Sequence, residues 1–247
     1  MLFRSVPPSA ARLALRLGCP LIWLASFGWE AIYRPLGEAF QPWAEWALAE
    51  YRQGDLLLRC PLSLPMAWNL PFEELGLTAS TPRHNLEEVA CRLALPADRE
   101  RCVLVSFGGL GMAMNPQWLS RWPEHVFVGV DPLLLEAPNG RLLPPDLRPL
   151  DVMPLAARMI TKPGYSTFCE AIQQGVGLHV VRRQGFAEAP VLEEGLREEA
   201  WHRLLEEEDF RRGAWQLDQP LQAPRAPRLS RDGSREAAEL LGQLLRR

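Results

Sequence analysis

The sequence predicts an α/β protein whose C-terminal half is a doubly wound parallel sheet. Three observations lead there. Short uncharged runs, such as VLVSF (Val103–Phe107), alternate with segments of helical apolar spacing. Those runs lack the in-out alternation of half-exposed strands, as strands covered on both faces do. Glycine-bearing loops follow two of them, GGLG after VLVSF and KPGYS after RMIT. The chain has 247 residues, 47% hydrophobic and 23% charged, enough to bury a large core and unlike the composition of disordered or fibrous proteins.

In chain order, Ala10–Leu17 has helical spacing and stops at Gly18, and PLIWLAS between Pro20 and Gly28 reads as a buried strand. Trp43–Tyr51 reads as a helix and DLLLRC (Asp55–Cys60) as a strand, while Pro61–Pro82 is Pro-rich and irregular. Trp23, Trp29, Trp43, Trp46 and Trp68 crowd this first part, where core packing is the simplest role for most. LEEVACRLAL (Leu86–Leu95) is an amphipathic helix leading into VLVSF. There follow a helix near Pro116–Trp122, strand HVFVGV, strand RMIT, helix TFCEAIQQG and strand LHVVRR. QAPRAPRLSRDGS is a linker, and REAAELLGQLLRR is a terminal helix expected to dock on the body, with acids early and arginines late as the helix dipole favours. The domains read as 1–84, 85–219, and 220–247 for linker and helix.

A net charge of −3 with both signs intermixed offers no field for a phosphate backbone, so nucleic acid is not expected as a partner. Cys19, Cys60, Cys91, Cys102 and Cys169 are widely spaced and make no metal-ligand cluster, which fits a reducing compartment and no metal. LGCPLIWLASFGW is shorter than the ~20 apolar residues of a membrane span and has no small-residue cleavage site after it. A cytoplasmic protein without a transmembrane segment is therefore expected. His84, His125, His179 and His202 have no evident acid or nucleophile partner and read as core or surface residues.

Lys162 is the sole lysine, and it stands in TKPGYST. A turn at Pro163-Gly164 followed by a helix opening at Ser166-Thr167 presents backbone N–H groups and hydroxyls together, the makings of an anion site with an ammonium at its rim. Glu170, one turn on, suits a ribose-binding carboxylate. Thr167-x-x-Glu170 is equally the pattern of a capping box, in which both side chains serve the helix start, and locally that reading is the stronger. Gly108-Gly109-Leu110-Gly111 could let a diphosphate approach the backbone. It also begins a dinucleotide fingerprint with Asp131 as ribose acid, although Met114 stands at the third glycine and Pro116 delays the helix.

Taken together, SFGG, KPGYST..EA and VRRQGFAEAPVL resemble the donor half of GT-B glycosyltransferases, and most closely the glycosyltransferase-like N-terminal region of L-arabinokinases. LGCPLIWLASFGWEAIY, LLLRCPLSLPM and PRHNLEEVACRLALPADRERCVLVSFGG carry the likeness over residues 15 to 215. The resemblance implies a GT-B-like fold with a nucleotide-sugar-binding C-terminal domain and an incomplete N-terminal Rossmann-like domain. It puts Gly108, Gly109, Gly164, Ser166 and Thr167 on the diphosphate beside Lys162, Glu170 on the ribose, and Arg183, Phe186 and Glu188 near the sugar. It implies a hexosyltransferase-type enzyme or a degenerate relative, with a nucleotide diphosphate sugar as substrate, an acceptor of unspecified class and no cofactor; it assigns no catalytic base. Ser26 and Glu30 replace the Asn and Asp of the family pattern N-F-x-W-D, and Ala157 stands where an aspartate is usual. The family has about 100 further residues ahead of the matched region, the length of the rest of a domain. On that comparison the chain is expected to bind a donor, to transfer little alone, and to self-associate through exposed sheet edge. The alternatives are a noncatalytic sugar-nucleotide binding or regulatory protein and a nicotinamide oxidoreductase.

Overall fold

The computed structural model describes residues 6–108, 114–244 and 246. The chain forms two compact units: unit 1 comprises residues up to Thr78 with Gly185–Leu192 and Leu229 onward, and unit 2 comprises Ala79–Gln184 and Glu193–Arg228.

Unit 1 begins with α1 (Ala10–Leu17), β1 (Ile22–Ala25), α2 (Trp29–Tyr33), α3 (Gln41–Tyr51), β2 (Leu56–Arg59) and β3 (Phe72–Glu74). The three strands are parallel in the order β1-β2-β3. β3 lies inside the segment expected to be irregular: its Phe72-Glu-Glu74 is exposed at all three positions, so it shows no apolar period, and pairing with β2 is what makes it a strand. α1 stops at Gly18, where φ is +62, as its sequence foretold. Trp23 and Trp68 are buried around Tyr51, with Trp68 and Tyr51 stacked at 4.1 Å and the Trp23 Nε1–H donating to the Tyr51 carbonyl at 2.9 Å. Trp43 departs from the core expectation, being 58% exposed.

Unit 2 holds α4 (Leu86–Arg92), β4 (Cys102–Val105), β5 (Val126–Gly129), β6 (Gly140–Leu142), α5 (Pro149–Val152), β7 (Arg158–Thr161), α6 (Tyr165–Gln174) and β8 (Gly177–Val181). α7 (Ala189–Glu199) straddles the division, and β9 (His202–Leu205) and α8 (Glu207–Arg211) complete the unit. All six strands are parallel, in the order β6-β5-β4-β7-β8-β9. The fold class is thus α/β with parallel sheets, as expected. β4 is buried at every residue and so is β8, the uncharged runs having both faces covered. β6 escaped the sequence because it is three residues long; it follows a tight connection where a Cβ on Gly140 would meet the Leu134 carbonyl at 1.9 Å. The helix expected near Pro116–Trp122 is a 3-10 segment, Pro116–Arg121.

One buried ion pair anchors the start of unit 2. The Asp151 side chain is fully buried and accepts from the backbone N–H groups of Arg83 (2.8 Å) and Arg148 (2.9 Å) and from the Arg148 guanidinium. Burial opposes the charge, but those donors prevail and hold the carboxyl at about 2.

Returning to unit 1, α9 (Gly233–Leu244) packs Ala237, Leu240 and Leu241 against Leu58, Leu75, Ile22, Leu24 and Leu56. The terminal helix therefore docks on the three-stranded sheet. Glu236 fixes it, accepting from the Gly76 N–H at 2.8 Å and the Ser230 hydroxyl at 2.8 Å.

Candidate functional site

The strand order of unit 2 marks a candidate site. From β4 the chain moves outward through β5 and β6; β7 then returns beside β4, and β8 and β9 continue on the other side. The order in which strands are added reverses between β4 and β7, so the loops leaving their carboxyl ends turn apart and open a crevice, the usual ligand position in such sheets. Two bonds pin the strand ends that flank it. The Ser106 N–H donates to the Ile160 carbonyl at 3.1 Å, and the buried Thr161 hydroxyl donates to the Ser106 carbonyl at 2.7 Å. Sequence reasoning missed Ser106 and Thr161, although a lone polar residue closing an apolar run was a usable signal.

On the β4 side, Gly108 sits exposed at φ +66, a backbone conformation that favours glycine. Gly109 and the rest of GGLG lie outside the described residues. On the β7 side come Lys162 and Pro163, then α6. The helix starts at Tyr165 with Gly164 as N-cap and no side-chain cap. This corrects two sequence readings. Gly164 is in extended backbone (φ −165), which any residue adopts, and a Cβ there would only reach ordinary contact with Thr167 Oγ1 at 3.8 Å. The capping box is also overturned: Thr167 is the third helical residue rather than the N-cap, so Glu170 is a turn too far along to serve the helix start.

The earlier helix start has a chemical consequence. The first bond inside α6 is from the Phe168 N–H to the Gly164 carbonyl at 3.0 Å, leaving the N–H groups of Ser166 and Thr167 ahead of it without a protein acceptor among the described residues. Glu170 stands four residues after Ser166 and three after Thr167, so the two hydroxyls and the carboxylate share one helix face. All three are half-buried. Lys162 is half-buried too and has no carboxylate at ion-pair distance among the described residues; burial, then the charge of Arg183, pulls its pKa below the usual lysine value. The Glu170 charge is felt in turn by Arg148.

The structure thus gathers Gly108, Lys162, Gly164, Ser166, Thr167 and Glu170 on the two loops and one helix start of the switch point. Arg183 follows β8, the next strand, and belongs to unit 2. Phe186 and Glu188 group with unit 1. Glu188 is buried, its Oε1 has no hydrogen-bond partner among the described residues, and desolvation raises its carboxyl to about 6. Asp131, the acid of the dinucleotide alternative, is occupied in capping, its Oδ1 accepting from the Leu133 N–H at 3.0 Å. His179 lies wholly inside the sheet and His202 is buried at its edge, as expected of core histidines. Among the described residues no group of His, Cys, Asp or Glu could hold a metal, and no helix is long and apolar enough to cross a membrane.

Comparison with solved structures gives the same architecture. The calicheamicin glycosyltransferase CalG4 superposes with a TM-score of 0.59 at 19% identity, covering 95% of this chain and 70% of its own. The chain has the GT-B glycosyltransferase fold. A UDP-glucosyltransferase from Polygonum tinctorium matches with a TM-score of 0.57 at 16% identity, over 84% of this chain and 62% of that one. Arabidopsis thaliana UGT89C1 complexed with UDP-L-rhamnose matches at 0.60 and 11% identity, over 89% and 65%. In sequence, the chain is 27% identical over 198 residues to the L-arabinokinase of Arabidopsis thaliana, 76% of this chain but 18% of the length of that enzyme. No family model matches.

Proposed function

We propose that unit 2 binds a nucleotide diphosphate sugar at the switch point and that the protein serves in glycosyl transfer. The observation that carries this reading is the α6 start: two hydroxyls and a carboxylate on one face, with two backbone N–H groups that have no acceptor and a lysine that has no counter-charge among the described residues. In this reading the diphosphate lies on the Ser166 and Thr167 N–H groups and on Gly108, with Lys162 contributing a compact positive charge. Glu170, released from capping, accepts the ribose hydroxyls. When the bond between the sugar and the diphosphate breaks, the diphosphate leaves with the electron pair, and the same donors stabilise the charge that develops on it. Relatives by fold support the donor class, one being a UDP-glucosyltransferase and another holding UDP-L-rhamnose.

Calorimetric titration with UDP-, GDP- and ADP-glucose and with NAD tests the reading. At least one sugar nucleotide is expected to bind and NAD is not; binding of NAD alone would overturn it. Release of free sugar from the bound donor, or its transfer to an added alcohol, then separates an enzyme from a noncatalytic binding protein.

A further inference from the structure

We propose that unit 2 carries a second ligand site, at the amino-terminal edge of its sheet, that takes a small oxyanion: a carboxylate or phosphate borne on a hydroxylated or amino-substituted skeleton. An open surface depression of about 450 Å³ lies there, lined by Trp122, Arg203, Ala214, Gln216, Asp218 and Gln219. Trp122 precedes β5 and Arg203 is the second residue of β9, so the depression is at the strand starts, whereas Gly108 and Lys162 follow strand ends. Its volume is within the range of small-molecule sites.

The charge of this edge points to an anion. Arg203 donates through Nε to Gln216 Oε1 at 2.7 Å and through Nη1 to the Pro220 carbonyl at 2.6 Å. Arg158, the first residue of β7, donates through Nη1 to the carbonyl of Gln219, on the rim of the depression, at 3.1 Å and to His179 Nε2 at 3.2 Å. Every one of these acceptors is neutral, and neither arginine has a carboxylate at ion-pair distance among the described residues. His179 does not compensate them. It is fully buried and gives its Nδ1–H to the Trp215 carbonyl at 3.0 Å, so its Nε2 accepts from Arg158; burial and the Arg158 charge keep the ring neutral, with its pKa at about 3. Two guanidiniums are therefore oriented by neutral partners with their positive charge unspent, the arrangement that recognises an oxyanion.

Gln216 adds backbone strain at the same place. It is a non-glycine residue at φ +56, and its side chain is tied to Arg203; such outliers gather at ligand sites. Asp218 supplies the opposite character on the rim, its Oδ2 accepting from Gln219 Nε2 at 3.2 Å. An anion that also carries a hydroxyl or amine uses the whole lining, because Asp218 then accepts a hydrogen bond from it instead of only repelling its charge.

The site is independent of the switch-point reading, and a test on the full chain separates them. Melting midpoints and calorimetric affinities are measured with citrate, with inorganic phosphate, with UDP, and with sodium chloride at matched ionic strength. Citrate or phosphate is expected to raise the midpoint beyond chloride. Arg203→Gln and Gln219→Glu should each weaken that binding about tenfold or more, leaving UDP affinity unchanged. Gln219 is exposed and its side-chain amide bonds only the neighbouring Asp218 among the described residues, so Gln219→Glu keeps the test valid if Arg203→Gln fails to fold. The proposal is overturned if neither oxyanion exceeds chloride, if Gln219→Glu binds as the parent does, or if UDP competes with the oxyanion.

Discussion

Replacing Lys162 by glutamine should stabilise the ligand-free protein while weakening its hold on a nucleoside diphosphate. The ammonium is half-buried, lies near the positive charge of Arg183, and has a pKa depressed by burial and then by that charge. A folded-state pKa below the unfolded value means that the charged form is disfavoured in the fold. The penalty is full at neutral pH and disappears above 10.5, the ordinary lysine value, where both states are neutral. After solvent screening, removing a partly exposed repelling charge is worth about 0.5–1 kcal/mol, or about 1–4 °C of melting midpoint for a chain of this size. Binding moves the other way. Losing one charge-assisted bond to a phosphate oxygen costs about 1.5–3 kcal/mol, which is about 10- to 150-fold in Kd. Lys162→Arg keeps the charge and the repulsion, so it should give no gain in stability, and its planar fork should bind the diphosphate less well than the ammonium does. Thermal unfolding without ligand and calorimetric titration with UDP measure the two effects separately. A lower midpoint for Lys162→Gln together with unchanged UDP affinity would refute the reasoning and make the lysine a structural part of its loop.

Glu170→Gln preserves the shape of the side chain and should alter stability by less than about 0.5 kcal/mol; UDP affinity should fall about 5- to 30-fold as charge-assisted ribose bonds become neutral ones. For Glu188, whose carboxyl is raised from 4.5 to about 6 by desolvation, the residue's contribution to stability is fully present below 4.5 and is lost as pH rises through 6. Glu188→Gln should abolish that decline, of about 2 kcal/mol, in thermal unfolding followed from acid to neutral pH. Asp151→Asn should cost about 3 kcal/mol by leaving donors of a buried pair underused, and wild type should lose about 2.5 kcal/mol as pH falls from 3.8 through about 2. Chemical denaturation at neutral and acid pH reads both.

Much of the frame was legible in the sequence because it rests on local signals. VLVSF and HVFVGV announced buried strands through an absence of charge, RMIT and LHVVRR through short apolar runs between turn signals, and α1 announced its end through Gly18. Pairing alone decided the rest. β3 and β6 are three residues each and have no pattern of their own; parallel neighbours make them strands. Strand order was invisible for the same reason, since hydrogen bonds between distant segments leave no trace in adjacent residues, yet that order is what brings the loops after β4 and β7 to one switch point. The sequence also offered Thr167-x-x-Glu170 as a capping box, and its spacing was genuine. Only the start of α6 at Tyr165, three residues earlier than the capping box requires, removed that reading, because a carboxylate reaches back to a helix start from the third helical position and not from the sixth. Lys162 was singled out by composition, but its want of a counter-charge depends on which segments fold beside it. The positive edge formed by Arg158 and Arg203 was hidden altogether, since residues 45 positions apart meet there only through β7, β8 and β9 lying side by side.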